Sequence, residues 1–106
     1  MTANNIYNHI QKNQNLIKDY CDKRGIEYLG LFGAVARREK RHTGDIDILV
    51  RFDKPKGFGF ISIKNDLSRM LKQRVDLVTE KALHPLLKDK ILKEAVTIYE
   101  NKRSAR

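Results

Sequence analysis

The run Asp45-Ile46-Asp47-Ile48-Leu49-Val50 constrains this chain more than any other stretch. Its β-branched and apolar residues favour a strand. The two-residue period of a strand sends Asp45 and Asp47 to one face and Ile46 and Ile48 to the other. One face must then be buried in a core, while the other carries two carboxylates that repel each other unless a cation lies between them. Oxygen-only ligands arranged this way suit Mg²⁺, which takes one or two carboxylates and fills its octahedron with water and substrate phosphates. Asp-x-Asp alone is a weak signal, because charged residues are common on exposed strand faces. Its context strengthens it. An apolar strand, Ile26 to Phe32, runs into Gly33-Ala34, a small pair that lets the backbone turn sharply and leaves room for a bulky anion. A helix beginning there aims unpaired N–H groups and a positive dipole end at a phosphate tail. Ten residues, Val35 to Gly44, separate that turn from Asp45. A phosphate-gripping turn beside a magnesium-holding strand is the minimum equipment for chemistry on a nucleoside triphosphate.

Read together, Gly33-Ala34, the ten-residue spacer, Asp45-Ile46-Asp47 and Asp76 in Arg74-Val75-Asp76-Leu77-Val78 resemble a family signature. The family is that of the minimal nucleotidyltransferases of the polymerase-beta superfamily, marked by Gly-Ser, ten residues, Asp-x-Asp and a further Asp on a later strand. Leu31-Phe32-Gly33, Val35-Ala36-Arg37 and the tail from His84-Pro85-Leu86 to Tyr99 also look like that family, so the similarity covers most of the chain. The resemblance implies a compact nucleotidyltransferase fold of the α/β layer type, a short mixed β-sheet backed by helices. It implies that Asp45, Asp47 and Asp76 are catalytic and hold two Mg²⁺ ions, and that Gly33 and Ala34 grip the terminal phosphates of ATP. The implied reaction moves AMP from ATP to a hydroxyl and releases pyrophosphate. Stand-alone members of the family commonly pair with a small helical HEPN ribonuclease toxin and act as its antitoxin by adenylylating a tyrosine, and the resemblance implies that role here.

Three positions depart from the family pattern. Its serine is Ala34, its usual glycine after Ala-Arg is Arg38, and its usual serine before Asp-x-Asp is Gly44. With Ala34 only the backbone remains to hold phosphate. One lost hydrogen bond to a charged group is worth about 1.5–3 kcal/mol, a weakening of nucleotide binding or turnover of roughly 10- to 100-fold.

The chain has 106 residues, a formal net charge of +9 and a pI of about 9.9. This length predicts one domain over residues 1–106. The charge is lopsided: residues 1–50 carry 8 Lys and Arg against 6 Asp and Glu, and residues 51–106 carry 14 against 7. A basic excess is either a solvated surface or a match for an anionic partner. Arg37, Arg38, Lys40 and Arg41 cluster beside the phosphate turn, and of these Arg37 is the candidate phosphate contact. Cys21 is the single cysteine, which excludes an internal disulfide framework and a cysteine zinc site and fits a reducing cytoplasm. No basic-then-apolar leader and no run of ~18 apolar residues is present, so membrane insertion is not expected.

Along the chain, Asn4 or Asn5 is expected to cap a helix ending near Arg24, with Gly25 as its left-handed cap. A short helix is expected from about Val35 to Lys40, and a polar loop from Arg41 to Gly44. Pro55, Gly57 and Gly59 break the chain after the second strand, in the most mobile-looking segment. Phe60, Ile63, Leu67, Met70 and Leu71 recur at helical spacing, predicting a helix over Phe60 to Lys72. Arg74 to Thr79 reads as a third strand, with Asp76 opposite Val75 and Leu77. Asp76 needs only the right register to join Asp45 and Asp47; the bland reading makes it a surface carboxylate paired with Arg74 or Lys72. Pro85 suits the first turn of a last helix with an apolar face of Leu86, Leu87, Ile91, Leu92 and Ala95. Val96 to Tyr99 is either that helix's end or a short edge strand, and Asn101 to Arg106 reads as a frayed tail.

His9, His42 and His84 lack metal-ligand spacing and read as surface or capping residues. Phe58 and Phe60 fit either a flap under the base or a core anchor. The rival function is a binding module that has lost turnover, with Ala34 as its sign, and neutralises a partner by occlusion. Nucleic acid as the main partner would rest on basic charge alone. The acceptor is expected on a partner protein, and self-association is left open.

Overall fold

The computed structural model describes residues 2–39, 45–53 and 59–101. Four strands form one mixed sheet in the order β3-β2-β1-β4: β1 Ile26–Phe32, β2 Ile46–Phe52, β3 Val75–Thr79 and β4 Val96–Glu100. β1 runs antiparallel to both β2 and β4, whereas β2 and β3 are parallel. Parallel neighbours need a crossover, and α4, Gly59–Leu71, supplies it. The α/β expectation of a short mixed sheet backed by helices holds.

The alternation in β2 explains the layering. Ile46, Ile48 and Val50 are fully buried and share one face with Leu29 and Leu31 of β1 and Val75 and Leu77 of β3. Helices α1 (Ala3–Lys12), α2 (Gln14–Arg24) and α4 cover that face with Ile6, Ile10, Ile17, Ile63, Leu67 and Leu71. The opposite face bears Asp47 and Asp76, together with the fully buried Leu49.

Several local expectations change. The first helix is two, broken at Asn13, and its cap is Thr2 rather than Asn4 or Asn5: the Thr2 hydroxyl accepts from the Asn5 N–H at 3.2 Å. The Asn13 side-chain amide donates to the His9 carbonyl at 2.8 Å, competing with the helix ladder as asparagine tends to do. Gly25 is left-handed at φ 67, as expected. The short third helix is α3, Gly33–Ala36; it starts at the turn itself and stops before Arg38, which has φ 54. α5 spans Pro85–Glu94 with His84 as its cap, its Nδ1 accepting from the Leu86 N–H. The apolar face of α5 is not buried: Leu86 is 86% exposed and no residue of the helix is buried. Periodicity marks which residues share a face but not whether this chain covers it. The tail after α5 is a strand, and it sits at the sheet edge. Asn101 is tied down by donating its N–H to the Glu27 carbonyl at 2.9 Å. The tail beyond it and the loop residues 54–58, including Pro55, Gly57 and Phe58, lie outside the described residues. Among the described residues, no helix is long and apolar enough to cross a membrane.

Cys21 sits in the core at 0% exposure, and burial, followed by the nearby Asp22 charge, pushes its thiol from an ordinary 9.0 up to about 12. Burial and then the hydrogen bond to Asp22 likewise push the Tyr99 phenol from 10.0 up to about 12. Both groups are neutral when protonated and more easily ionised in the unfolded chain. Their stabilisation is therefore complete below the unfolded values and is lost as pH rises toward about 12. The melting temperature is expected to fall from about pH 9 upward, and Cys21 should react with a thiol reagent only as fast as the fold opens. Constant melting across that window, or immediate thiol labelling, contradicts this burial.

Candidate active site

Asp47 occupies the centre of the open face because of register. In the parallel pair it lies opposite Asp76, and in the antiparallel pair opposite Phe32, the residue before Gly33. Directly paired residues share a face, so one strand position brings Asp47 beside both Asp76 and the turn. Asp45 stands one residue before β2 begins and forms an ion pair with Arg74 at 3.6 Å. Arg74 is thus drawn to Asp45 rather than to Asp76. Among the described residues, no three His, Cys, Asp or Glu side chains converge tightly enough to hold a metal by themselves. The donor set still fits a hard cation. Mg²⁺ needs only one or two protein carboxylates, with substrate phosphates supplying further oxygens.

Gly33 is required for two reasons. Its φ is +73, where side chains are strained, and a Cβ there would collide with Asp47 Oδ2 and lie 3.2 Å from Asp47 Cγ. The turn and the carboxylate strand therefore touch. Ala34 follows at the second position of α3, offering backbone and a methyl group only.

The Gly33 N–H donates to Glu94 Oε1 at 3.0 Å. Arg37 Nη1 reaches the same carboxylate, at 3.3 Å to Oε1 and 3.4 Å to Oε2, and Arg37 Nε donates to Glu39 Oε2 at 2.8 Å. Hydrogen bonding to Glu39 leads the effects that raise the Arg37 pKa, with Glu94 adding to it. Glu94 escaped the sequence reading. A signal existed: a carboxylate in the last turn of a helix opposes the helix dipole, so something outside the helix must hold it.

The basic cluster splits. Arg37 faces the turn, while Arg38 turns away, bonding Asn4 Oδ1 at 2.7 Å and stacking on the Tyr7 ring at 4.0 Å. Its positive φ gives a backbone reason for glycine at that position in the family pattern. Lys40, Arg41, His42 and Gly44 lie outside the described residues. Phe60 is a core anchor, packed on the core and edge-on to Phe52 at 6.3 Å. His9 bonds the Met70 carbonyl at 2.9 Å, and His84 caps α5.

The profile of the polymerase beta nucleotidyltransferase family matches residues 15–104. Protein adenylyltransferase MntA of Thermococcus cleftensis is 33% identical over 82 residues, 76% of this chain and 83% of its own length. A Methanocaldococcus jannaschii protein provisionally named a protein adenylyltransferase is 43% identical over 77 residues, 72% of this chain and 83% of its own. A solved structure provisionally described as a minimal nucleotidyltransferase superposes with a TM-score of 0.72 at 30% identity, covering 91% of this chain and 95% of that one. A toxin–antitoxin structure with AMP-PNP shares the fold at a TM-score of 0.66 and 19% identity, covering 86% of this chain and 76% of that one.

Proposed function

The chain belongs to the polymerase beta nucleotidyltransferase family and is a nucleotidyltransferase, and from that premise we propose that it transfers AMP from ATP to a tyrosine hydroxyl of a HEPN-type partner toxin in the cytoplasm. The observation that carries this reading is Asp47, set beside Asp76 on one neighbouring strand and against the Gly33 turn on the other. The likeness to MntA supports protein adenylylation, and the fold shared with the toxin–antitoxin structure supports the partner class.

Asp45, Asp47 and Asp76 would hold magnesium, two ions in the full complex, which supplies neutralisation of the triphosphate and a lowered acceptor pKa. The chain's own groups do the rest. The backbone of Gly33 and Ala34, with Arg37, holds the outer phosphates and fixes the α-phosphorus near the carboxylate face. Asp76, exposed at the edge of that face, takes the acceptor's proton. The acceptor oxygen bonds to the α-phosphorus as the α–β bridging bond breaks, and pyrophosphate leaves with that electron pair. No covalent enzyme intermediate is required.

Ala34 favours a second reading, a binding module that has lost turnover and neutralises its partner by occlusion. Calorimetry with ATP, with and without Mg²⁺, separates the two. Magnesium-dependent binding is expected in the unmodified protein, lost in Asp45→Asn and about 10- to 100-fold tighter in Ala34→Ser, because a hydroxyl restores one hydrogen bond to a charged group. No binding by either the unmodified protein or Ala34→Ser would leave occlusion as the function.

A further inference from the structure

Glu94 lies in the last turn of α5, far along the chain from the Gly33 turn, yet its carboxylate receives the Gly33 N–H and the Arg37 guanidinium together. These are two donors assigned above to the nucleotide's outer phosphates. A carboxylate and a phosphate offer the same feature to such donors, anionic oxygens able to accept two charge-assisted hydrogen bonds. We infer that Glu94 is an internal stand-in for phosphate: it holds the Gly33 turn and Arg37 in the nucleotide-free protein and must leave before a triphosphate can take those donors.

Three observations support displacement over a fixed structural tie. The Arg37 side chain is 46% exposed and that of Glu94 19% exposed, so their pair is screened by water on the arginine side, where an anion of higher charge can outcompete it. Arg37 keeps Glu39 as a second partner, so it stays anchored at the turn when Glu94 leaves. No side chain of α5 is buried, so Glu94 can swing away without opening the core. A glutamate that remained in place would instead face the incoming phosphates as a like charge and weaken their binding.

This inference rests on the phosphate-binding role proposed for the turn, and the test separates the two. Binding of ATP and of inorganic tripolyphosphate would be measured by calorimetry in magnesium buffer for the unmodified protein, Glu94→Gln, Glu94→Ala and Asp47→Asn, each checked for an intact fold by thermal melting. Glutamine keeps an acceptor for the Gly33 N–H but removes the charge. Glu94→Gln and Glu94→Ala are expected to bind both ligands roughly 10-fold tighter than the unmodified protein. In turnover, Glu94→Gln should lower KM for ATP with little change in kcat, a split that general loosening of the turn would not produce. Affinity that is unchanged or weaker in both Glu94 variants, while the unmodified protein binds, overturns the stand-in role and leaves the phosphate site standing. Absence of binding in every folded variant overturns both.

Discussion

Asp47→Asn is expected to slow AMP transfer by about a hundredfold or more, the cost of removing one preorganised charged group from a reacting centre. Asparagine nearly matches the shape of aspartate, so the strand should survive, but a neutral amide oxygen is a poor ligand for a hard dication. Asp47 is the carboxylate adjacent to both Asp76 and the Gly33 turn, and no neighbour on β2 can replace it, since Ile46 and Ile48 face the core. The measurement is AMP incorporated into the purified partner protein, followed by intact mass. Asp76→Asn should lose activity in the same way. Because it also removes one of two like charges in direct register, its melting temperature should be unchanged or slightly higher. Full activity in Asp47→Asn, with the fold intact, would rule out this site as the reacting centre.

The second large effect is expected from Gly33→Ala, a change of one methyl group. Alanine at φ +73 costs about 1–2 kcal/mol for the left-handed backbone alone, and its Cβ collides with Asp47 Oδ2. Either Asp47 is displaced from the carboxylate face or the turn opens, so nucleotide binding and activity should fall together. The melting temperature should drop by several degrees, as expected for about 1–2 kcal/mol in a domain of this size. A double-mutant cycle isolates the collision. Asp47→Ala makes room for the new methyl group, so Gly33→Ala should cost less stability in that background. Equal costs in both backgrounds would mean that the backbone, not the carboxylate, demands glycine here.

Much of the site was legible because the features involved are local. Alternation along 45–50 forces two carboxylates to one face whatever surrounds them; in β2 Ile46, Ile48 and Val50 are buried on the other face, although Leu49 on the carboxylate face is fully buried as well. Ile26 to Phe32 forms the expected strand, and Gly25 the expected cap, because chain direction and positive φ are set within a few residues. The first helix failed where a side chain intervened, with the Asn13 amide taking a carbonyl near the end of α1 and splitting the periodic run. The apolar residues of α5 were legible as a pattern, but that they stay exposed was not, since burial depends on neighbours that the pattern does not contain.

By itself the sequence determined the equipment: a small turn, ten residues, two strand-borne carboxylates, a third on a later strand, and the family these spell out. Such features follow from backbone geometry and side-chain chemistry over short spans, where chain entropy leaves few alternatives. Only the tertiary structure decided what meets what. Parallel pairing of β2 with β3 put Asp76 opposite Asp47. Tight contact of β2 against the turn left no room for a Cβ at Gly33 while Asp47 stays in place. The course of α5 brought Glu94 back onto Gly33 and Arg37, across 61 and 57 residues of chain. All three are long-range contacts; the first two follow from burial of the opposite sheet face, which sets strand register and carries the polar face with it, while the third depends on where α5 lies over the turn.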